Sequence, residues 1–380
     1  MTTDEPADDP ASGFGDDLAI AAVPLNQNLI IASKPVAPQQ NYGPRPLPLF
    51  IDMVQRESEG NPARIAAVLA GVRAFQKRPR TGARIARPVV ARAGRAVLRD
   101  YGGQGPDLIL VPSLINPPDI LDLMPENSLA TWIAAQGFHV FLVDWGCPTP
   151  SEKHVDITAH VEDMLAPLLA SRPAPPHVMG YCLGGTMAIA AAFITPIASL
   201  ALVAVPWHFS GFPEAARADQ TLLWKSARSA ARAMGLLPME VLQAGFWQLD
   251  PARSVRKYIG FDMLDQEGAS ARRFMAVEDW ANAGPPLTYA AARQAFVDFF
   301  EQNLPGSGKW QVAGRTVDPA TLPCPVFDII SLTDNIVPAA AASRVPDRLL
   351  LNLGHVGMVV GSSARALMWE PLRDWFLAQR

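Results

Sequence analysis

The stretch Val178-Met179-Gly180-Tyr181-Cys182-Leu183-Gly184-Gly185-Thr186-Met187-Ala188-Ile189-Ala190-Ala191-Ala192 decides how the rest of the chain is read. A short apolar run leads into a G-x-C-x-G pentapeptide, and a good helix former follows. A strand-to-helix turn this tight strains the backbone of its central residue, and small residues two before and two after it avoid a clash. It also sets the Cys182 thiol at a helix N-terminus, where free N–H groups and the helix dipole favour a developing oxyanion. The pattern predicts a nucleophile that carries sulfur in place of oxygen, and with it an acyl-transferring enzyme.

Outward from this turn the chain alternates between strand and helix. Leu108 to Pro112, Val140 to Asp144 and Leu200 to Val205 are continuous apolar strands, with helices expected at Ser128 to Gln136 and Val161 to Leu169. Strands apolar on both faces and separated by helices predict an α/β fold with a mostly parallel central sheet and helices on both faces. After Pro206 the strand pattern stops until Val326 to Ile330, and the chain between is helical and aromatic, with Trp207, Trp224, Trp247, Trp280 and Trp310. Residues 207–322 therefore read as a mainly helical cap inserted into a core made of 101–206 and 323–380. Most of its aromatic residues are expected in a core of its own, and a few along an apolar substrate channel.

Residues 1–48 begin acidic (Asp4, Glu5, Asp8, Asp9) and turn proline-rich, the composition of a disordered tail. Residues 49–100 show helical spacing broken near Gly60, Pro79 and Pro88. The segment 73–99 carries Arg73, Lys77, Arg78, Arg80, Arg84, Arg87, Arg92, Arg95 and Arg99 with no acid. A solvated helical face is the simpler reading of this run, and a phosphate- or partner-binding role is the other.

With 380 residues, 49% of them hydrophobic, the chain can bury a large core. A net charge of −4 argues against nucleic acid as a partner. No run is apolar over the roughly 18 residues of a transmembrane segment. The first 22 residues hold no Lys or Arg, unlike a secretory signal, so a cytoplasmic location is expected. Three cysteines, Cys147, Cys182 and Cys324, are too few and too scattered for a disulfide framework or a metal site.

A thiol nucleophile needs a base, and the base needs a group to orient it. Partners on loops after late strands, in the chain order nucleophile, Asp, His, satisfy this. Phe327 to Thr333 is a strand that presents Asp334, and Leu349 to Leu353 one that presents His355. His355 would take the thiol proton while Asp334 fixes its tautomer. Asp328 competes for the second role, but lies within the strand, where burying a carboxylate is costly. His139, His154, His160, His177 and His208 read as surface or capping residues, with His208 the one to watch. The oxyanion hole is expected to use the backbone N–H of Leu183 and one near Leu114 or Ile115, on the loop after the first core strand.

Sulfur bears on direction as well. An acyl group on cysteine is a thioester, close in energy to an acyl-coenzyme A thioester, so it stays activated for transfer to a hydroxyl. The runs Leu110 to Leu123 (LVPSLINPPDILDL), Gln136 to Gly146 (QGFHVFLVDWG), Gly180 to Gly185, Asp334 to Pro338 and Gly354 to Gly357 resemble the polyhydroxyalkanoate synthases, in order, over about residues 100–380. The resemblance implies an α/β-hydrolase fold and polymerisation of 3-hydroxyacyl-coenzyme A into polyester, with Cys182, His355 and Asp334 as the triad. It also implies that the Asp activates the incoming 3-hydroxyl. No metal and no bound cofactor are implied; coenzyme A arrives with the substrate. The growing polyester chain or granule, and a second synthase subunit or a homodimer, are the implied partners, with a location at the granule surface. The short length and the Gly-His-Val-Gly wording look like the two-subunit type. The run Glu278 to Pro285 is similar to the family's cap motif but lacks the Asp usually found after its Trp. A polyester depolymerase or thioesterase with the same triad, and a non-catalytic granule-binding protein, are the alternatives.

Overall fold

The computed structural model describes residues 43–45, 47–80, 85–265 and 267–379. The tail expected over 1–48 lies outside these residues as far as 42, and the chain is already helical from Leu47. The central sheet has eight strands: β1 (Val89–Ala93), β2 (Ala96–Gly102), β3 (Asp107–Val111), β4 (His139–Asp144), β5 (His177–Tyr181), β6 (Ser199–Val203), β7 (Val326–Ser331) and β8 (Arg348–Leu351). Their spatial order is β1-β2-β4-β3-β5-β6-β7-β8. The pairs β1/β2 and β2/β4 are antiparallel, and every pairing from β4 to β8 is parallel.

The central strands are buried on both faces, which is why they read as unbroken apolar runs. Side chains alternate across the sheet. Ile109, Val111, Phe141 and Val143 pack on one face with Met187 and Ala188 of α4 (Leu183–Ala191). Leu108, Leu110, Val140 and Leu142 pack on the other with Ile133 of α3 (Leu129–Ala134) and Phe376 of α9 (Glu370–Ala378). Each such side chain taken from water contributes about 1.5–3 kcal/mol.

Residues 89–102, where helix was expected, are instead a hairpin that extends the sheet at one edge. Val89, Val90 and Val97 are spaced for one helical face, yet β-branched residues also suit strands, and the deciding partner, β4, lies some 40 residues away in sequence. Among the described residues only Arg73 and Lys77, exposed on a helix that ends at Lys77, fit the solvated helical face expected of the basic segment. Arg95 meets Glu152 at 2.8 Å, Arg99 meets Asp144 at 2.7 Å, and Arg80 grips Asp279 through two bonds of 2.9 Å. Arg84 lies outside the described residues.

Between β6 and β7 the chain runs through α5 (Glu214–Met234), α6 (Met239–Leu249), α7 (Pro251–Asp262) and α8 (Ala269–Ala281). The N-terminal helices α1 (Leu47–Glu57) and α2 (Pro62–Lys77) pack on this insert. Phe50, Val54, Val68 and Phe75 bury themselves against Tyr258, Phe261 and Met275. The Arg80–Asp279 pair clamps the end of that segment to α8.

Candidate active site

Cys182 follows β5 directly and caps α4 with φ +54°, a left-handed conformation costly for a side-chain-bearing residue. Close packing explains the flanking glycines. A Cβ on Gly180 would lie 2.3 Å from the Gly185 Cα, and one on Gly184 would lie 2.3 Å from the Pro112 carbonyl oxygen. The loop after β3 thus presses on the first turn of α4. Leu183 supplies the first amide of that helix, which has no intrahelical acceptor.

The loops after β7 and β8 bring Asp334 and His355 to the same point. His355 Nδ1 donates to Asp334 Oδ2 at 2.6 Å, and Cys182 lies close enough for its charge to act on the same imidazole. Burial alone would depress the His355 pKa, but the charges of Asp334 and Cys182 and the bond to Asp334 outweigh it and raise it to about 10. Asp334 is held in turn: its Oδ1 accepts from the amides of Ile336 at 2.7 Å and Val337 at 3.1 Å. Both carboxylate oxygens are committed, and the side chain is wholly buried.

Asp328 is buried after all, in the middle of β7. Its Oδ2 accepts from Ser343 Oγ at 2.6 Å, its Oδ1 has no partner, and burial raises its pKa to about 6. The cost expected of a buried carboxylate therefore appears as a shifted titration, and it is Asp334, not Asp328, that bonds the imidazole. Two histidines expected at the surface are also buried. His177 bonds Ser199 Oγ at 2.7 Å, and His160, whose pKa burial lowers to about 4, sits between Arg95 and the Asp156 carbonyl. His208 does not line the cavity described next.

Cys182, Leu183, Asp334 and His355 lie on the wall of a cavity of about 600 Å³. Most of the remaining wall comes from the insert and is apolar, including Phe212, Leu242, Phe246, Trp247 and Phe296. Trp247 and Trp280 thus face the cavity, whereas Trp207, Trp224 and Trp310 pack inside. The insert also lines the cavity with charged groups, among them Asp250, Arg253, Arg273 and Glu278, the last accepting from Lys257 Nζ at 2.8 Å and from the Tyr258 hydroxyl at 2.9 Å.

Of the two positions proposed for the second oxyanion donor, Ile115 lines the cavity, but its amide already donates to Ser113 Oγ at 3.2 Å. Leu114 turns its side chain into the core. Two residues at the site had no signal of their own in the sequence. Tyr181 packs against His355 with ring centroids 5.1 Å apart and planes tilted by 33°, and donates its hydroxyl to the His355 carbonyl at 3.2 Å. Ser113 lines the cavity beside the elbow. Among the described residues no group of His, Cys, Asp and Glu could hold a metal ion, and no helix is long and apolar enough to cross a membrane.

The sheet order, the strained nucleophile turn and the partners on two late loops define a class, and residues 108–368 match the family model of the alpha/beta hydrolase family, to which the chain belongs. Within curated proteins it is similar to poly(3-hydroxyalkanoate) polymerase subunits PhaC. The subunit from Haloferax mediterranei is 28% identical over 71% of this chain and 58% of its own length. That from Haloarcula marismortui is 26% identical over 71% and 60%. That from Thiocystis violacea is 25% identical over 70% and 79%. The chain thus spans about three-fifths of the length of the first two relatives.

Proposed function

We propose that this chain is a cysteine-dependent acyltransferase that joins 3-hydroxyacyl units from their coenzyme A thioesters into polyhydroxyalkanoate and releases coenzyme A. The observation that carries the proposal is the meeting of Cys182 with the hydrogen-bonded pair His355–Asp334 at the wall of a large apolar cavity. The similarity to the polymerase subunits supports the substrate class.

In the proposed reaction His355 takes the Cys182 proton and the sulfur attacks the thioester carbonyl. The tetrahedral intermediate collapses, the carbon–sulfur bond to coenzyme A breaks, and the imidazolium returns its proton to the leaving thiolate. Asp334 holds the ring with Nδ1 protonated, so that Nε2 is the working nitrogen. The acyl group is then a thioester on Cys182; the 3-hydroxyl of another unit attacks it while His355 receives the hydroxyl proton, the bond from the acyl carbon to the Cys182 sulfur breaks, and the imidazolium returns the proton to that sulfur. With both oxygens of Asp334 committed, His355 is the better placed base for this second step than Asp334 itself. Residues 207–322 act as a cap whose aromatic wall receives the acyl chain and the growing polyester. The reaction needs no metal or bound cofactor. A second synthase subunit or a second copy of the chain, and a cytoplasmic place at the granule surface, belong to the same proposal.

The test is incubation of purified protein with 3-hydroxybutyryl-coenzyme A, following free thiol and turbidity together, with Cys182→Ala as control. Both signals are expected from the wild type and neither from the variant. Thiol without turbidity means a thioesterase, soluble 3-hydroxy acid released from added polymer means a depolymerase, and none of these means a granule-binding protein without catalysis.

A further inference from the structure

We propose that the Ser113 hydroxyl is a side-chain donor of the oxyanion hole, a role that rests on the acyl-transfer reading above. Strands β3 and β5 are parallel neighbours, and Val111 pairs with Gly180. Ser113 follows this pair by two residues and Cys182 likewise, just past the ends of the two strands, so the register delivers both to the same end of the sheet. The contact continues past the strand ends, since the Pro112 carbonyl abuts Gly184 in the first turn of α4. Ser113 is buried, and it lines the same cavity as Cys182 and Leu183.

The hydrogen bonding leaves this hydroxyl one free function. Its oxygen accepts the Ile115 amide at 3.2 Å, which fixes the oxygen's position and removes that amide from other work. Its own proton has no acceptor among the described residues. A fixed oxygen with an uncommitted proton at the wall of the cavity is a donor directed at whatever oxygen the substrate places there. With the Leu183 amide it would bind the negative oxygen that forms when the Cys182 sulfur adds to the acyl carbonyl. The loop is braced for this from both sides: Trp145 Nε1 donates to the Pro112 carbonyl at 2.9 Å, and Trp280 Nε1 to the Pro117 carbonyl at 2.9 Å. A donor held in place before the reaction is where such stabilisation is largest.

The experiment compares wild type, Ser113→Ala and Ser113→Thr in two reactions of Cys182. A trifluoromethyl ketone analogue of the acyl thioester adds the sulfur to its carbonyl carbon and leaves an alkoxide, which needs the donor. Iodoacetamide alkylates the same sulfur by displacing iodide and forms no oxyanion. Ser113→Ala should bind the ketone about 10- to 100-fold more weakly, with Ser113→Thr close to wild type and all three alkylated at similar rates. Ketone affinity within twofold of wild type in Ser113→Ala would overturn the assignment. A parallel loss of alkylation would also overturn it, by showing a structural role for the residue. If the wild type itself formed no adduct at Cys182, the acyl-transfer reading would fall and this assignment with it.

Discussion

Replacing Asp334 by Asn changes one oxygen to an amide nitrogen and leaves the shape of the side chain intact. Because Oδ1 already accepts the Ile336 and Val337 amides, the Asn oxygen stays on that side and its NH2 group faces His355 Nδ1. Two donors cannot share a 2.6 Å contact, so the imidazole moves its proton to Nε2. The ring then holds its single proton on the side of the Cys182 sulfur and, without the Asp334 charge that raises its pKa, can no longer take up the thiol proton. In serine triads the same exchange lowers turnover by about 10⁴-fold. A thiol is easier to deprotonate than a hydroxyl, so a loss of about 10³-fold is expected here, about 4 kcal/mol of transition-state stabilisation. The assay is coenzyme A release from 3-hydroxybutyryl-coenzyme A at pH 7.5, beside the rate of Cys182 alkylation by iodoacetamide. Both should fall while circular dichroism and melting behaviour stay near wild type. A folded Asp334→Asn protein that keeps its turnover within threefold would refute the triad geometry.

Trp280→Phe keeps the ring but loses the bond to the Pro117 carbonyl, so turnover should fall severalfold with a stability loss of only about 1 kcal/mol, read by steady-state kinetics and urea unfolding. Arg80→Ala removes a bidentate pair that is less than a third exposed and the bond to the Phe75 carbonyl at 2.7 Å. It should cost about 1–3 kcal/mol and make the chain after α2 more sensitive to limited proteolysis, a protection pattern that hydrogen exchange would also report. Asp328 titrates at about 6 against 3.8 when unfolded, so the stability it contributes is complete below 3.8 and is lost as pH rises through 6. That is about 3 kcal/mol over two units. Asp328→Asn should flatten this part of the stability–pH curve and be at least as stable as wild type at pH 8; a steeper curve would contradict the buried-acid reading.

The sheet and the convergence of Cys182, Asp334 and His355 were legible because each rests on local chemistry with one outcome. An apolar strand, a G-x-C-x-G turn and a helix former leave little choice about where Cys182 sits, and the Asp and His follow on loops whose strands are equally plain. The hairpin at 89–102 was hidden because its valines satisfy two periodicities, and only pairing with β4 separates them. Salt bridges of the basic segment join residues far apart in the chain, such as Arg80 and Asp279, and no spacing rule points to them. Asp328 shows the limit of a burial argument: the cost of a buried carboxylate does not exclude it, because a proton and one serine can offset the charge. Ser113 and Tyr181 gave no signal, since what brings them to the site is the loop after β3 and a ring contact with a residue far along the chain.

The N-terminal helices rest on the insert and not on the sheet. The thiol, the imidazole and the carboxylate hang from strand ends, while the aromatic wall across the cavity is moored to helices 47–77. Under the proposed reaction, substitutions in those helices are expected to alter which acyl groups fit before they alter the rate of bond making.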